Sequence, residues 1–144
     1  MRYSEDHKAK THQLILDEAA RRFRRDGVGA TGLQPLMKAL GLTHGGFYAH
    51  FKSKDELVEK ALRHAVDNLK TSLAMHTGPD VPLSALLDTY LSDGHRANPD
   101  QGCPLPTISA ELGQRGQQSE ITDEVVQDRL ANIAGKLDGD DSRA

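Results

Sequence analysis

Apolar and polar positions along the chain follow a helical period nearly throughout. Ile15, Ala19 and Phe23 recur at fourfold spacing with Leu16 and Ala20 beside them, which predicts an amphipathic helix over residues 4–25. Arg21, Arg22, Arg24 and Arg25 fall in its last turns and read as solvated cations matched to the negative end of the helix dipole. Gly27 supplies a left-handed stop. Leu33, Leu36, Met37 and Leu40 mark a second helix over residues 33–40, with Thr31 or Gly32 as its cap and Gly41 as its end. Pro35 sits in its first turn, where a missing N–H breaks no intrahelical bond. Thr43 then caps a third helix from His44 to about His50.

Ser53-Lys54-Asp55-Glu56 is a capping box that opens a fourth helix running to about Met75. Its apolar positions, Leu57, Val58, Ala61, Leu62, Ala65, Val66, Leu69 and Leu73, form a face too broad for a surface helix. They predict contact with both the N-terminal three-helix unit and a second core. After a turn over residues 76–82, Leu83, Leu86, Leu87, Tyr90 and Leu91 predict a fifth helix ending before Asn98-Pro99. The breakers from Gly102 to Pro106 open a sixth, carrying Ile108 and Leu112 and ended by Gly113 and Gly116. Ile121, Val125, Val126, Leu130, Ile133 and Leu137 predict a seventh over residues 119–137. The tail from Asp138 to Ser142 lacks most ligand positions of a calcium loop and reads as a solvated end. With no strand-period segment of useful length and no repeat, the expected fold is all-α.

Composition narrows the class. The 144 residues are 37% hydrophobic and 27% charged, without Trp, which fits a soluble globular chain. No apolar run is long enough to span a bilayer, and MRYSEDHKAK has no secretory core, so the expected location is the cytoplasm. The single Cys103 excludes an internal disulfide, and no Cys/His spacing suggests zinc; neither metal nor cofactor is expected. Cys103 reads as a small buried apolar residue at a helix start. The net charge of −3 conceals an asymmetry, +4 over residues 1–55 and −7 over residues 56–144, which suggests that only the N-terminal part meets a polyanion. His44 and His50 are paired with no nucleophile, no Ser/His/Asp set or carboxylate pair is identifiable, and Gly45-Gly46 lacks a phosphate-loop lysine, so no enzyme is expected.

The third helix departs from helix propensity. Gly45 and Gly46 in its first turn cost about 1 kcal/mol each relative to Ala, and a helix this short scarcely forms alone. Phe47 and Phe51, four apart, anchor one face, which leaves His44, Gly45 and Tyr48 outward. An outward face that is small at its start and rich in donors lets the backbone approach base edges or phosphates; the alternative is that the glycines admit a packed helix. Lys54, at the first position of the next helix, opposes the helix dipole, and pointing at a phosphate would explain it. Two helices joined by a short Gly-containing turn match the helix-turn-helix unit.

With these residues placed, the segment over about residues 12–70 resembles the DNA-binding domain of TetR/AcrR-type transcriptional regulators. The resemblance rests on Ile15-Leu16-Asp17-Glu18-Ala19-Ala20, the Gly27 turn, Leu36 to Gly41, and the run from Thr43 to Leu57 that includes Tyr48, Phe51 and Lys54. Gly102-Cys103-Pro104-Leu105 and Glu111 are similar to the ligand domain of one subgroup. The resemblance implies a DNA-binding domain over residues 1–55 and a helical ligand-binding and dimerisation domain over residues 56–144. It implies a homodimer whose recognition helices enter successive major grooves about 34 to 36 Å apart. Thr43, Tyr48, His50 and Lys54 would position the protein on phosphates, with His44, Gly45 and Gly46 nearest the bases and Thr31 and Gly32 beside them. The expected function is that of a repressor released from its operator by a small molecule, in a site that Leu62, Val66, Leu86, Tyr90, Cys103 and Ile108 would line. The alternative is a ligand-binding or interaction module that keeps the fold without binding DNA. Such regulators usually have two further long helices after the seventh that form the dimer interface, whereas this chain stops at Ala144. Either it is a fragment or it dimerises otherwise, and an exposed apolar surface is expected on the sixth and seventh helices.

Overall fold

The computed structural model describes residues 2–74, 78 and 80–137. Among the described residues all regular structure is helical, as expected. The N-terminal elements are α1 (Arg2–Asp26), α2 (Leu33–Ala39), a 3₁₀ turn (Gly45–Ala49) and α3 (Lys54–Ala74). Then come α4 (Leu83–Tyr90), α5 (Asp93–Ala97), a second 3₁₀ turn (Pro99–Gln101) and a π-helical turn (Leu105–Ser109) that runs into α6 (Ala110–Gln114), and finally α7 (Glu120–Ala134). The linker residues 75–77 and 79 and the Asp138–Ser142 tail lie outside the described residues.

Helix ends follow local chemistry. Gly27 at φ +93° stops α1, and its N–H bonds the Phe23 carbonyl. Gly41 at φ +70° ends α2: its N–H reaches the Lys38 carbonyl and the next N–H, of Leu42, reaches Met37, the paired bonds of a left-handed glycine cap. Gly116 at φ +67° does the same for α6, with Gly116 bonded to Gly113 and Gln117 to Leu112. Gly113, expected to help end the sixth helix, lies inside α6. The capping box holds: the Glu56 N–H donates to Ser53 Oγ at 3.1 Å, while the Glu56 carboxylate accepts from the N–H of Lys52, one residue before the cap.

The expected fifth helix is two. Ser92 is extended at φ −69° and ψ 154°, and its hydroxyl accepts the His95 N–H at 3.1 Å, so it caps a new helix and interrupts the old one. The C-terminal arginines of α1 are also not simply solvated. Arg24 Nε donates to the Ala20 carbonyl at 3.0 Å and its Nη1 to the Gly102 carbonyl at 3.3 Å, while Arg21 pairs with Asp100 at 3.2 Å. Tertiary folding carries the Pro99–Gln101 turn against the end of α1, which no local pattern announces.

There is one core. Ile15, Phe23, Leu36, Phe47, Phe51, Leu57 and Leu62 join Ile108, Leu112, Ile121 and Val125 in a single buried cluster to which both α1 and α3 contribute. The second core expected against the fourth helix is therefore the same cluster, continued: no break in packing marks residue 55. Across the far side, Glu124 on α7 accepts from Arg63 and Lys70 of α3, each at 2.7 Å. The expected apolar surface is found on α7, at Val126 and Leu130, but not on α6, where Leu112 is buried; instead Leu87 of α4 and Leu91 just after it are exposed.

Candidate nucleic-acid interface

The segment after α2 is a 3₁₀ turn rather than an α-helix. Gly46, Phe47 and His50 donate to carbonyls three residues back, Thr43, His44 and Phe47, while Phe51 N reaches four back, to Phe47. Two consecutive glycines do not supply the propensity to draw the first turn into the wider α geometry. Tertiary packing holds it instead. Phe47 and Phe51 are buried and stacked with ring centroids 5.4 Å apart, His12 of α1 stacks on Phe51 at 4.5 Å, and Lys60 Nζ lies 5.6 Å from the same ring. Helices α1 and α3 thus grip the turn from two sides through one phenyl ring.

On the outward side, Thr43, His44, Gly45 and Tyr48 are exposed, Tyr48 by 59%. Thr43 Oγ1 accepts the Gly46 N–H at 3.2 Å, which leaves its hydroxyl hydrogen available to an outside acceptor. The Tyr48 ring stands edge-on to Phe47 at 5.2 Å and 6.1 Å from His44, so an apolar floor orients a phenol towards solvent. A Cβ built on Gly45 meets nothing within 4 Å. Gly45 is therefore not there to admit a neighbouring helix; the space above it is outside the protein. A Cβ on Gly46 would meet only Thr43 Oγ1, at 3.2 Å. Lys54 is half-buried at the start of α3 and makes no ion pair among the described residues.

Two expected contacts lie elsewhere. Thr31 is 4% exposed and donates its hydroxyl to the Gly27 carbonyl at 2.8 Å, so it braces the turn after α1 and presents no side chain, while Gly32 beside it is exposed. His50 turns inward: its Nδ1 is buried without a partner, and its ring lies 5.9 Å from that of His12. Burial, then Lys8, holds the His50 pKa below 6.5, and burial, then Lys60, does the same for His12, so both rings favour the neutral form.

One determinant of the turn's placement comes from far along the chain. The Glu111 carboxylate of α6 accepts the N–H groups of Val28 and Gly29, each at 2.6 Å, in the loop that leads from α1 into α2. Arg115 also donates to that carboxylate, on the oxygen that accepts from Gly29. Nothing in the local pattern around Glu111 signals this contact.

Residues 15–61, the stretch that carries this geometry, match the family model of the bacterial regulatory proteins of the tetR family. The chain carries a TetR-family N-terminal domain. Its TetR-type domain is 40% identical over 60 residues to the HTH-type transcriptional regulator AcrR of Shigella flexneri, covering 42% of this chain and 28% of the relative. It is 38% identical over 55 residues to the HTH-type transcriptional repressor KstR2 of Rhodococcus jostii, covering 38% and 27%. The uncharacterized HTH-type transcriptional regulator YfiR of Bacillus subtilis is 28% identical over 105 residues, 71% of this chain and 51% of the relative, so that match extends past the TetR-type domain. The matches thus span from about a quarter to about half of the relatives' own lengths.

Behind the TetR-type domain, the residues expected to line a ligand site divide. Leu62, Val66 and Ile108 are sealed in the core. Leu86, Tyr90 and Cys103 meet around a cavity of about 130 Å³, together with Leu69, Ser72, Thr89, His95, Gly102 and Arg129. Of these, Arg129 and His95 carried no signal in the sequence pattern. Cys103 is buried, and its N–H donates to His95 Nε2 at 3.4 Å. No described helix is long and apolar enough to cross a membrane, and the described residues hold no cluster of metal-ligating side chains.

Proposed function

We propose that this chain is a DNA-binding transcriptional regulator that acts as a homodimeric repressor and leaves its operator when a small molecule occupies its body. The observation that carries the reading is the open space above Gly45, flanked by exposed Thr43, His44 and Tyr48 on a turn that α1 and α3 hold from behind. A glycine that no internal contact requires, at a point where the chain spends helix propensity, fits a backbone meant to come close to another molecule. Backbone groups and Thr43, Tyr48 and Lys54 would then position the protein on phosphates, and His44 with the two glycines would face the base edges. The names of the relatives support the same assignment. Release by a ligand requires that the ligand bind the DNA-free arrangement more tightly than the DNA-bound one.

Binding to the DNA upstream of the chain's own coding sequence, measured by gel shift across salt concentrations, tests the proposal. Affinity is expected to fall steeply with salt; Lys54→Ala should lower the slope by about one unit, and His44→Ala should change sequence preference while leaving the slope nearly alone. Equal, salt-insensitive binding to any duplex, or none, unaffected by either substitution, would favour a ligand-binding module that keeps the fold without reading DNA.

A further inference from the structure

We propose that the cavity between α3, α4 and α7 binds a small monocarboxylate of about six heavy atoms, with Arg129 as its charge partner. This names the class of effector and so rests on the regulatory reading above.

The charge balance around the cavity points to an anion. Each other arginine whose side chain is described has an acceptor: Arg21, Arg22, Arg25, Arg63, Arg96 and Arg115 pair with carboxylates, and Arg24 donates to two carbonyls. Arg129 alone among them has neither, and it lines the cavity. No carboxylate lines the cavity with it. The acids nearest to it along α7, Glu124 and Asp128, lie on a different face and are both bound to Lys70. A guanidinium presents a planar fork that matches a carboxylate, and a single such group suits one negative charge rather than a polyphosphate.

The remaining walls set the size and character of the rest of the ligand. Leu69, Leu86 and the Tyr90 ring give an apolar side, and Ser72 and the Tyr90 hydroxyl give neutral donors, the Thr89 hydroxyl being spent on the Ala85 carbonyl at 2.9 Å. Burial, reinforced by the adjacent Cys103, raises the Tyr90 pKa, so the phenol keeps its proton and repels no anion. His95 Nε2 is occupied by the Cys103 N–H, and its ring lies 4.7 Å from that of Tyr90, which fixes the wall opposite. A volume of about 130 Å³ is close to that of engineered cavities that hold benzene, hence a short aliphatic acid.

Amide shifts of the whole chain, read by nitrogen-15 NMR during titration with butyrate, butyramide and butylamine, test the assignment without DNA. Butyrate is expected to shift the Gly102 and Cys103 amides with a Kd of about 1 mM, and butyramide and butylamine at least tenfold more weakly. Arg129→Gln should weaken butyrate at least tenfold and leave butyramide unchanged, while Ser72→Phe, which fills the cavity from the exposed side of α3, should abolish both. Equal binding of butyrate and butyramide, an undiminished butyrate response in Arg129→Gln, or no response at Gly102 and Cys103 to any probe would overturn the proposal. Butyrate binding in a chain that ignores DNA would sink the regulatory reading and leave the cavity assignment standing.

Discussion

At the scale of single residues, the glycines of the candidate interface separate two kinds of cost. Gly27, Gly41 and Gly116 have positive φ, and their backbone shape demands glycine. Gly45 does not: its φ is not in the left-handed region and its missing side chain leaves open space. Gly45→Ala should therefore stabilise the isolated protein by roughly 0.5–1 kcal/mol, seen as a higher urea midpoint, because alanine favours helical backbone. The same substitution should weaken operator binding at least tenfold if the space is used by DNA. Unchanged DNA affinity in a stabler variant would show that Gly45 is no part of the interface. Phe47 and Phe51 were legible as anchors from their spacing alone. The inward turn of His50 and the burial of Thr31 were not, since both depend on α1 lying against the turn.

At the scale of elements, the Gly45–Ala49 turn is positioned by neighbours more than by its own propensity. Its rear wall is α1 and α3, and the loop that leads into α2 is fastened by Glu111 of α6. Hydrogen bonds to a charged acceptor contribute about 1.5–3 kcal/mol each when buried; this carboxylate is partly exposed, so the lower end applies. Glu111→Gln should lower stability by about 1–2 kcal/mol, as a shift in urea midpoint with unchanged slope. A loss of a few tenths or less would mean that the loop holds its shape without α6. The same last turns of α1 are joined through Arg24 to the carbonyl of Gly102, a residue of the cavity wall. The end of α1 thus connects the cavity wall to the helix-turn-helix within one rigid element.

At the scale of the whole molecule, one hydrophobic cluster crosses the position where charge and composition change. Residues 1–55 are basic and residues 56–144 acidic, yet the apolar core passes from Phe47 through Leu62 to Ile121 without interruption. Unfolding should therefore be a single transition. Tyr48 lies in one part and Tyr90 in the other, and the absence of Trp leaves tyrosine fluorescence uncluttered. Urea curves followed by tyrosine fluorescence and by far-ultraviolet circular dichroism should coincide. Two separated transitions would show that the acidic body and the basic head are independent folding units.

The sequence by itself determined the helical class, the order of the main helices, their glycine stops, the capping box before α3 and the two phenylalanines that seat the Gly45–Ala49 turn. These depend on periodicity and on contacts within a few residues, which the chain order displays directly. Tertiary structure alone decided the 3₁₀ form of that turn, the division of the expected fifth helix, the fastening of Val28 and Gly29 by Glu111, and the meeting of Arg129 with Tyr90 and Cys103. Each of these joins or is shaped by residues far apart in sequence, and which distant groups meet depends on how several helices pack at once.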